Sequence, residues 1–301
     1  MRALCFGSLN IDYVYQVPHF VNRGETLAAR SLRTFSGGKG LNQSVALARA
    51  GLTTCHAGAI GADGAFLVDE LDAAGVDTTH VTRLPDMRTG HAVIQKNAEG
   101  DNCILLYGGA NRAITREQID RTLADFSAGD LLAVQNEISE LGYLLEQAKA
   151  RGMRLALNPS PMEPYLAELA PLANYLLLNE IEASQLLGCD AACEPDDMAE
   201  RLRERFSAAA IVLTLGENGA IYVDGSQTLR QRAVRTETVD TTAAGGTFTG
   251  YFLAGVLGGH DAAWAMRCAS AAAAIAVSRP GAAPSIPMLD EVLDKMAAIF
   301  S

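Results

Sequence analysis

Continuous apolar runs alternate with helical patterns along most of this chain, and this alternation limits the fold more than any other feature. The strand-like runs are residues 2–6, 54–60, 130–135, 154–158, 175–178 and 210–215. The helical patterns are residues 42–50, 66–74, 141–151, 181–187 and 195–206. Strands that are apolar on both faces are typical of parallel sheets covered by helices on both sides. We therefore expect an α/β fold with a doubly wound, mostly parallel sheet.

Two stretches interrupt this pattern. Residues 11–35 and 89–108 alternate polar and apolar side chains, and the second carries a hairpin signal at Asn97-Ala98-Glu99-Gly100. Alternation is typical of a sheet with one face in solvent. These insertions predict a small β-sheet that stands off the main sheet as a lid or an interface, within a single domain that spans residues 1–301.

Charge and hydropathy exclude several classes of partner. The net charge of −11 argues against a nucleic-acid or anionic-membrane surface, since both require clustered Lys and Arg. The apolar runs are too short for a signal peptide or for a membrane span of about 18 residues. The six cysteines are scattered, which is typical of free thiols in a reducing compartment. We expect a cytoplasmic protein.

A turn of small residues at 240–250 predicts a phosphate site. Its sequence is Asp240-Thr241-Thr242-Ala243-Ala244-Gly245-Gly246-Thr247-Phe248-Thr249-Gly250, which reads as an extended end, a turn and a helix start. The first N–H groups of a helix have no partner within it, so several of them can converge on one anion.

Polar side chains near the first strand suggest a site for a polyol. Asn10 and Asp12 follow that strand, and the glycine-rich turn 36–43 carries Lys39 and Asn42. Ligands of doubly wound folds bind at the carboxyl ends of strands. Each residue also has a plainer interpretation, because Asn and Asp favour turns and a lysine is often a solvated charge.

Three further positions leave two interpretations open. Asn179 and Glu182 suit either water-mediated Mg²⁺ binding or the cap of a helix. The turn 214–219 suits a nucleotide or a simple β-turn. Glu137 suits a sugar hydroxyl or a surface position in a loop.

In their order along the chain, these segments resemble the ribokinase-like (PfkB) carbohydrate kinases. The resemblance rests on residues 7–12, 37–43, 61–64, 89–90, 109–111, 179–182, 214–219, 240–250 and 271–285. It implies transfer of the γ-phosphoryl group of ATP to a hydroxyl of ribose or a similar furanose. Nucleoside and fructose kinases are the alternatives within this class.

The resemblance assigns ligands to individual residues. The sugar site would comprise Asn10, Asp12, Gly38, Lys39, Asn42 and Glu137. The ATP site would comprise Asn179, Thr214, Gly216, Gly219, Gly245 and Ser270. Glu182 would hold Mg²⁺ through water. A monovalent cation, K⁺, would lie among Asp240, Thr242, Ala276, Arg279, Gly281 and Ser285. The small sheet would close over the sugar and form a homodimer contact.

Position 246 departs from the resemblance. The family reads Asp-Thr-x-(Gly/Ala)-Ala-Gly-Asp-Thr-Phe at this turn, and Gly246 replaces the second Asp, which is the family's catalytic base. The catalytic turn would comprise Ala243, Ala244, Gly245 and Gly246, with the N–H groups of residues 244–247 facing the transferred phosphoryl group. General-base catalysis typically contributes about 10²–10⁴-fold. Three explanations stay open: a kinase impaired by this change, a catalytically silent protein that binds sugar or nucleotide for regulation, and a base supplied from elsewhere.

Overall fold

The computed structural model describes residues 1–99, 101–189 and 193–300. Within them the strands are β1 (Ala3–Phe6), β2 (Asn10–Gln16), β3 (Ser31–Gly37), β4 (Thr54–Gly61), β5 (Asp77–Leu84), β6 (Gly90–Lys96), β7 (Asn102–Tyr107), β8 (Leu131–Gln135), β9 (Arg154–Asn158), β10 (Tyr175–Asn179), β11 (Ala210–Thr214), β12 (Ala220–Val223) and β13 (Thr228–Gln231). The α-helices are α1 (Lys39–Arg49), α2 (Ala65–Ala73), α3 (Arg116–Leu123), α4 (Leu141–Ala150), α5 (Leu166–Leu169), α6 (Glu180–Leu187), α7 (Pro195–Arg205), α8 (Ala244–Leu257), α9 (Ala262–Val277) and α10 (Leu289–Phe300).

The main sheet has nine strands in the order β13-β12-β11-β10-β9-β8-β1-β4-β5. The strands from β11 to β5 run parallel, and β12 and β13 add an antiparallel edge. Alternate residues of β1 belong to two separate cores, Ala3 and Cys5 to one and Leu4 and Phe6 to the other. Because both faces are buried, the strand sequences are continuously apolar. The predicted doubly wound α/β sheet is confirmed.

The two alternating insertions form a second, four-stranded sheet in the order β3-β2-β6-β7, called the small sheet below. Its two central strands run parallel, and each outer strand is antiparallel to its neighbour. The predicted separate sheet is therefore confirmed. The Asn97 N–H donates to the Asp101 carbonyl at 3.1 Å across the predicted hairpin turn. Gly100 of that turn lies outside the described residues.

The structure describes the state of the cysteines and the lengths of the helices. All six cysteines are free thiols, and Cys5, Cys55 and Cys268 are buried. In the described part of the chain, no helix has the length and apolar character needed to cross a membrane.

Candidate active site

The polar turns converge on one cavity of about 170 Å³, above the ends of β9, β10 and β11 and beside the starts of α1, α6 and α8. Its lining residues are Lys39, Asn42, Gln43, Asn158, Ser160, Leu177, Leu178, Asn179, Glu182, Thr214, Thr242, Gly245, Gly246 and Thr249. A wider and more open depression of about 370 Å³ is lined at the opposite ends of these strands and contains none of the predicted site residues. The smaller cavity is therefore the one that contains predicted site residues.

Two carboxylates, Asp12 and Glu137, lie close to Lys39; Lys39 lines this cavity, whereas neither carboxylate does. Glu137 is 8% exposed, and its Oε2 accepts hydrogen bonds from the Ser8 hydroxyl and, at 3.2 Å, from the Lys39 N–H. Burial, and then repulsion from Glu137, raise the pKa of Asp12 to about 7, although the charge of Lys39 opposes the shift. This group offers hydroxyl acceptors beside one cation, which suits a polyol.

The turn before α1 brings the backbone close to this group. Gly38 has φ +99°, and a Cβ there would lie 2.8 Å from the Ser8 carbonyl oxygen. One turn into α1, Asn42 is 8% exposed, and its Oδ1 has no hydrogen-bond partner among the described residues. A buried acceptor without a partner costs stability, so Asn42 Oδ1 is suited to accept from a ligand hydroxyl.

The start of α8 carries the N–H groups of the expected anion site. The Ala244 N–H donates to the Thr241 carbonyl at 3.1 Å, and the Thr247 N–H donates to the Ala243 carbonyl at 2.9 Å. Two of the expected donors are therefore engaged, because the turn and the first helical hydrogen bond already use them. Within the described chain, the N–H groups of Ala243, Gly245 and Gly246 have no acceptor. The donor set is narrower than expected.

Asn179 and Glu182 form a capping box at the start of α6. The Asn179 Oδ1 accepts from the Glu182 N–H at 2.8 Å, and the Glu182 Oε2 accepts from the Asn179 N–H at 3.0 Å. The helix-cap interpretation is thus correct for these side chains. Both residues also line the cavity, and Glu182 is its sole acidic residue within the described structure. The cap uses Oε2 of Glu182, so the other carboxylate oxygen can still accept a hydrogen bond from Mg²⁺-bound water.

The predicted ATP residues are brought together only in part. Thr214, at the end of β11, lines the cavity. Gly216 has φ +55° and Gly219 φ +99°, and a Cβ on Gly219 would lie 2.0 Å from the Gln231 carbonyl oxygen. These glycines are therefore required by the turn itself. Ser270 is 5% exposed within α9 and does not line the cavity.

Asp240 ties the turn before α8 to the segment after α9. Its Oδ1 accepts from the N–H of Thr242 at 3.0 Å and from the Thr242 hydroxyl, and its Oδ2 accepts from the Gly281 N–H at 3.3 Å. Burial opposes ionisation, but the hydrogen bonds from Thr242 and Gly281 outweigh it and hold the pKa of Asp240 below its ordinary value. Asp240 is therefore a stable anion at neutral pH.

The other predicted cation ligands are engaged in contacts of their own. The Ala276 carbonyl accepts from the Arg279 N–H at 3.2 Å, and the Ser285 hydroxyl donates to the Ala282 carbonyl at 2.8 Å. The Arg279 side chain points away to an exposed ion pair with Glu291 at 2.9 Å. In the described residues, no group of three or more His, Cys, Asp or Glu side chains could hold a metal ion. The donors here are mainly backbone and hydroxyl oxygens.

Comparison with known proteins assigns this arrangement to a family. The model of the pfkB family carbohydrate kinases matches residues 2–289. The chain belongs to the PfkB carbohydrate kinase family. It is 33% identical over 299 residues to the ribokinase of Staphylococcus aureus, with 97% of this chain and 98% of the relative covered.

Solved structures of PfkB ribokinases have the same fold. The ribokinase of Cryptococcus neoformans in complex with ADP matches with a TM-score of 0.87, 34% identity and 98% of each chain covered. The ribokinase of Arabidopsis thaliana complexed with ribose and ATP matches with a TM-score of 0.87, 28% identity and 98% of each chain covered. The α/β sheet with a separate small sheet is thus the fold of these relatives.

The cavity is also lined by residues that the sequence alone did not single out as ligands, among them Gln43 and Asn158. A chain of three amides reaches the cavity wall, because Gln135 Nε2 donates to Gln43 Oε1 at 2.6 Å and Gln43 Nε2 donates to Asn158 Oδ1 at 3.4 Å. Gln135 and Asn158 are the last residues of β8 and β9. A polar residue that ends an apolar strand was the available signal. Ser160 and Thr249 carried no comparable signal.

Proposed function

We propose that this chain is an ATP-dependent sugar kinase that acts on ribose or a similar furanose, with phosphoryl transfer slowed because position 246 has no base. The observation that carries this proposal is the position of Gly246. It lines one cavity together with Lys39 and Asn42 of the expected sugar site and with Asn179 and Thr214 of the expected ATP site. The complexes of the plant relative with ribose and ATP and of the fungal relative with ADP support both ligands.

Sugar hydroxyls would bind to the carboxylates near the small sheet. Asp12 and Glu137 can accept hydrogen bonds from hydroxyls, Lys39 adds a positive charge near Asp12, and Asn42 Oδ1 offers a further acceptor. Gly38 allows the ligand to approach the backbone at the start of α1. Because these groups are polar and charged, they favour a polyol over the apolar base of a nucleoside.

Phosphoryl transfer would take place at the start of α8. Transfer needs positioning and charge stabilisation more than covalent chemistry. The free N–H groups of Ala243, Gly245 and Gly246 would donate to the transferred group, and the positive end of the helix dipole adds to their effect. These donors belong to the backbone, so the change at position 246 leaves them in place.

Removal of the hydroxyl proton is the step without a dedicated group. Glu182 is the sole carboxylate that lines the cavity in the described structure, and one of its oxygens is bound to the Asn179 N–H. This supports an impaired kinase over a substitute base. General-base catalysis is worth about 10²–10⁴-fold, so the remaining rate would be lower by that factor.

The residues present fit the two expected cations. Mg²⁺ keeps most of its waters in proteins and takes few carboxylates, which agrees with the single Glu182 beside Asn179. Bound there, it would neutralise charge on the nucleotide phosphates. For K⁺, the ionised Asp240 and the neighbouring carbonyl groups supply oxygen donors at the base of the α8 turn. Asp240 would hold the turn in shape by its bonds to Thr242 and Gly281.

The small sheet would act as a lid and as a homodimer contact in the cytoplasm. Ile104 and Leu106 of β7 are 56% and 43% exposed. The strand register places both on the same face of the small sheet as Asp12. Exposed apolar side chains on an edge strand favour association, and a second copy of the chain would bury them.

A second function is favoured by the same glycine. A protein with no acid–base side chain at 246 is also suited to bind sugar and nucleotide for regulation without turnover. The two functions differ in one measurement, ADP release with added sugar.

The test is a coupled ADP-release assay with ribose, 2-deoxyribose, fructose and adenosine, run with calorimetric binding of each compound. We expect ribose to bind and to stimulate slow ADP release above the ATP-only rate. Binding without stimulated release would favour the regulatory function. Tighter binding of adenosine or fructose than of ribose would reassign the substrate, and no binding of any compound would contradict both functions.

A further inference from the structure

Asn111 makes an unusually complete set of contacts at the junction of the two sheets. It is 1% exposed and lies in the short helical turn Gly109–Ala113 that follows β7. Its Oδ1 accepts from the Leu9 N–H at 3.0 Å, and its Nδ2 donates to the Leu9 carbonyl at 3.2 Å and to Asn10 Oδ1 at 2.8 Å. One amide thus serves both backbone groups of Leu9 and the side chain of the next residue.

Gly90 makes this contact sterically feasible. It is the first residue of β6, and its register partner in β2 is Asn10. A Cβ on Gly90 would lie 2.1 Å from Asn111 Nδ2 and 2.4 Å from Asn10 Oδ1. Since these distances are far below van der Waals contact, any side chain at position 90 would separate the two amides.

The backbone of Asn111 reaches a second part of the sugar site. Its carbonyl accepts from the Ser139 N–H at 3.1 Å, and the guanidinium of the next residue, Arg112, donates to the Ile138 carbonyl at 3.1 Å. Ile138 and Ser139 directly follow Glu137. Asn111 therefore connects the strand that carries Asn10 to the loop that carries Glu137.

We infer that Asn111 is a positioning residue that orients the Asn10 amide toward the sugar, an inference that rests on the proposed function. Because Asn10 Oδ1 is used by Asn111, the end of the amide that remains for a ligand is the Nδ2 donor. Asn10 would then donate to a sugar oxygen, whereas the carboxylates Asp12 and Glu137 accept from sugar hydroxyls. Asn111 reaches the ligand only through Asn10.

Two substitutions at position 111 separate its contacts. Asn111→Asp keeps an acceptor for the Leu9 N–H but removes the donor to Asn10, so the Asn10 amide should turn and present Oδ1 to the ligand. Asn111→Ala removes all three hydrogen bonds of this side chain. Gly90→Ala separates the two amides without removing either side chain. Gln118→Ala is the matched control, since Gln118 is 5% exposed and donates to the Gly58 carbonyl at 2.8 Å, away from Asn10.

The test measures D-ribose affinity by calorimetry for these variants in the native chain and in the Asn10→Ala background. We expect Asn111→Asp and Gly90→Ala each to weaken ribose binding about tenfold, Gln118→Ala to change it less than about twofold, and both losses to vanish in the Asn10→Ala background. Equal losses in both backgrounds would overturn the inference, because Asn111 would then act on the site without Asn10.

A second readout needs no ligand. We expect hydrogen exchange of the Leu9 amide to accelerate in Asn111→Ala but to stay slow in Asn111→Asp and Gln118→Ala. Unchanged protection of Leu9 in Asn111→Ala would overturn the inference. If the native chain binds no ribose, the proposed function fails, whereas the exchange result still decides whether Asn111 holds this junction. If the Asn111 variants do not fold, Gly90→Ala decides through ribose affinity.

Discussion

A Cβ built on Gly246 would lie 3.2 Å from the Cβ of Asn42, so the helix that follows the phosphate turn can accept a side chain at this position after a small shift. One turn further along α8, a Cβ on Gly250 would lie 2.4 Å from the Cβ of Ala46. The same face of α8 thus meets α1 at both positions, but only Gly250 is required by the packing. Gly246 is therefore not explained by the fold.

This difference predicts that alanine destabilises the fold at position 250 far more than at position 246. Gly250→Ala should lower the free energy of unfolding by about 1–3 kcal/mol, because it overpacks the α1–α8 contact. Gly246→Ala should change the free energy of unfolding by less than about 1 kcal/mol, because the helical preference of alanine offsets the small shift that its Cβ requires of Asn42. Urea unfolding of both variants measures the difference, and similar losses in both would show that the packing at 246 is as tight as at 250.

Asp12 should make stability depend on pH. Burial and Glu137 raise its pKa to about 7 from an ordinary value of 3.8, so the folded chain binds a proton between these values that the unfolded chain releases. Stability should therefore fall as pH rises through this window. The native chain loses this contribution as pH rises, whereas Asp12→Asn has no such group. The free energy of unfolding of Asp12→Asn minus that of the native chain should therefore increase by up to about 4 kcal/mol between pH 4 and pH 8.

The comparison with Asp12→Asn isolates this group. Burial lowers the pKa of His56 to about 3, which destabilises the fold at acidic pH, but His56 is present in both proteins. Unfolding free energies measured at several pH values provide the test. A constant difference between the two proteins from pH 4 to pH 8 would contradict the raised pKa.

Glu182 and Asn179 should separate helix capping from cation binding. Asn179→Ala removes a cap and should cost about 0.5–2 kcal/mol of stability. Glu182→Gln keeps an oxygen for the Asn179 N–H but loses the charge, so stability should change little while ATP binding requires more Mg²⁺. Calorimetric ATP titrations at increasing Mg²⁺ measure this requirement. An unchanged Mg²⁺ dependence would leave Glu182 as a capping residue only.

The exposed face of β7 should control the oligomeric state. Ile104→Glu combined with Leu106→Glu places charges on the apolar face of the small sheet, and charges there oppose association. Sedimentation velocity should show a dimer for the native chain and a monomer for the variant. A native monomer would contradict the dimer. A variant that still dimerises would show that the dimer contact lies on another surface.

The sequence was a good guide to the interior of the fold and a poor guide to its edges. Runs such as residues 130–135 and 210–215 are buried on both faces, so their hydropathy alone identifies β8 and β11. The edge strands β5 and β13 were not predicted. Their sequences, Asp77–Leu84 and Thr228–Gln231, are largely polar because each has a neighbour on one side only.

The sequence identified candidate residues where polar side chains follow apolar strands, as with Asn10 and Asn179, and of these two Asn179 lines the cavity. It did not predict hydrogen bonds within a turn or between distant segments. For example, the N–H groups of Ala244 and Thr247 are used by hydrogen bonds within the turn and the first helical turn, and this decides which N–H groups near the start of α8 remain for a ligand. The contact of Asn111 with Asn10 joins residues 101 positions apart, which no local spacing reveals.

The most direct test of the missing base compares Gly246→Asp with Gly246→Asn. The two side chains have nearly the same shape, but only aspartate accepts a proton at neutral pH. We expect ribose-dependent kcat to rise about 10²–10⁴-fold in Gly246→Asp and to stay near the native rate in Gly246→Asn, with ribose affinity similar in all three proteins. If Gly246→Asp turns over ribose no faster than Gly246→Asn, the loss of a base at position 246 does not limit this chain.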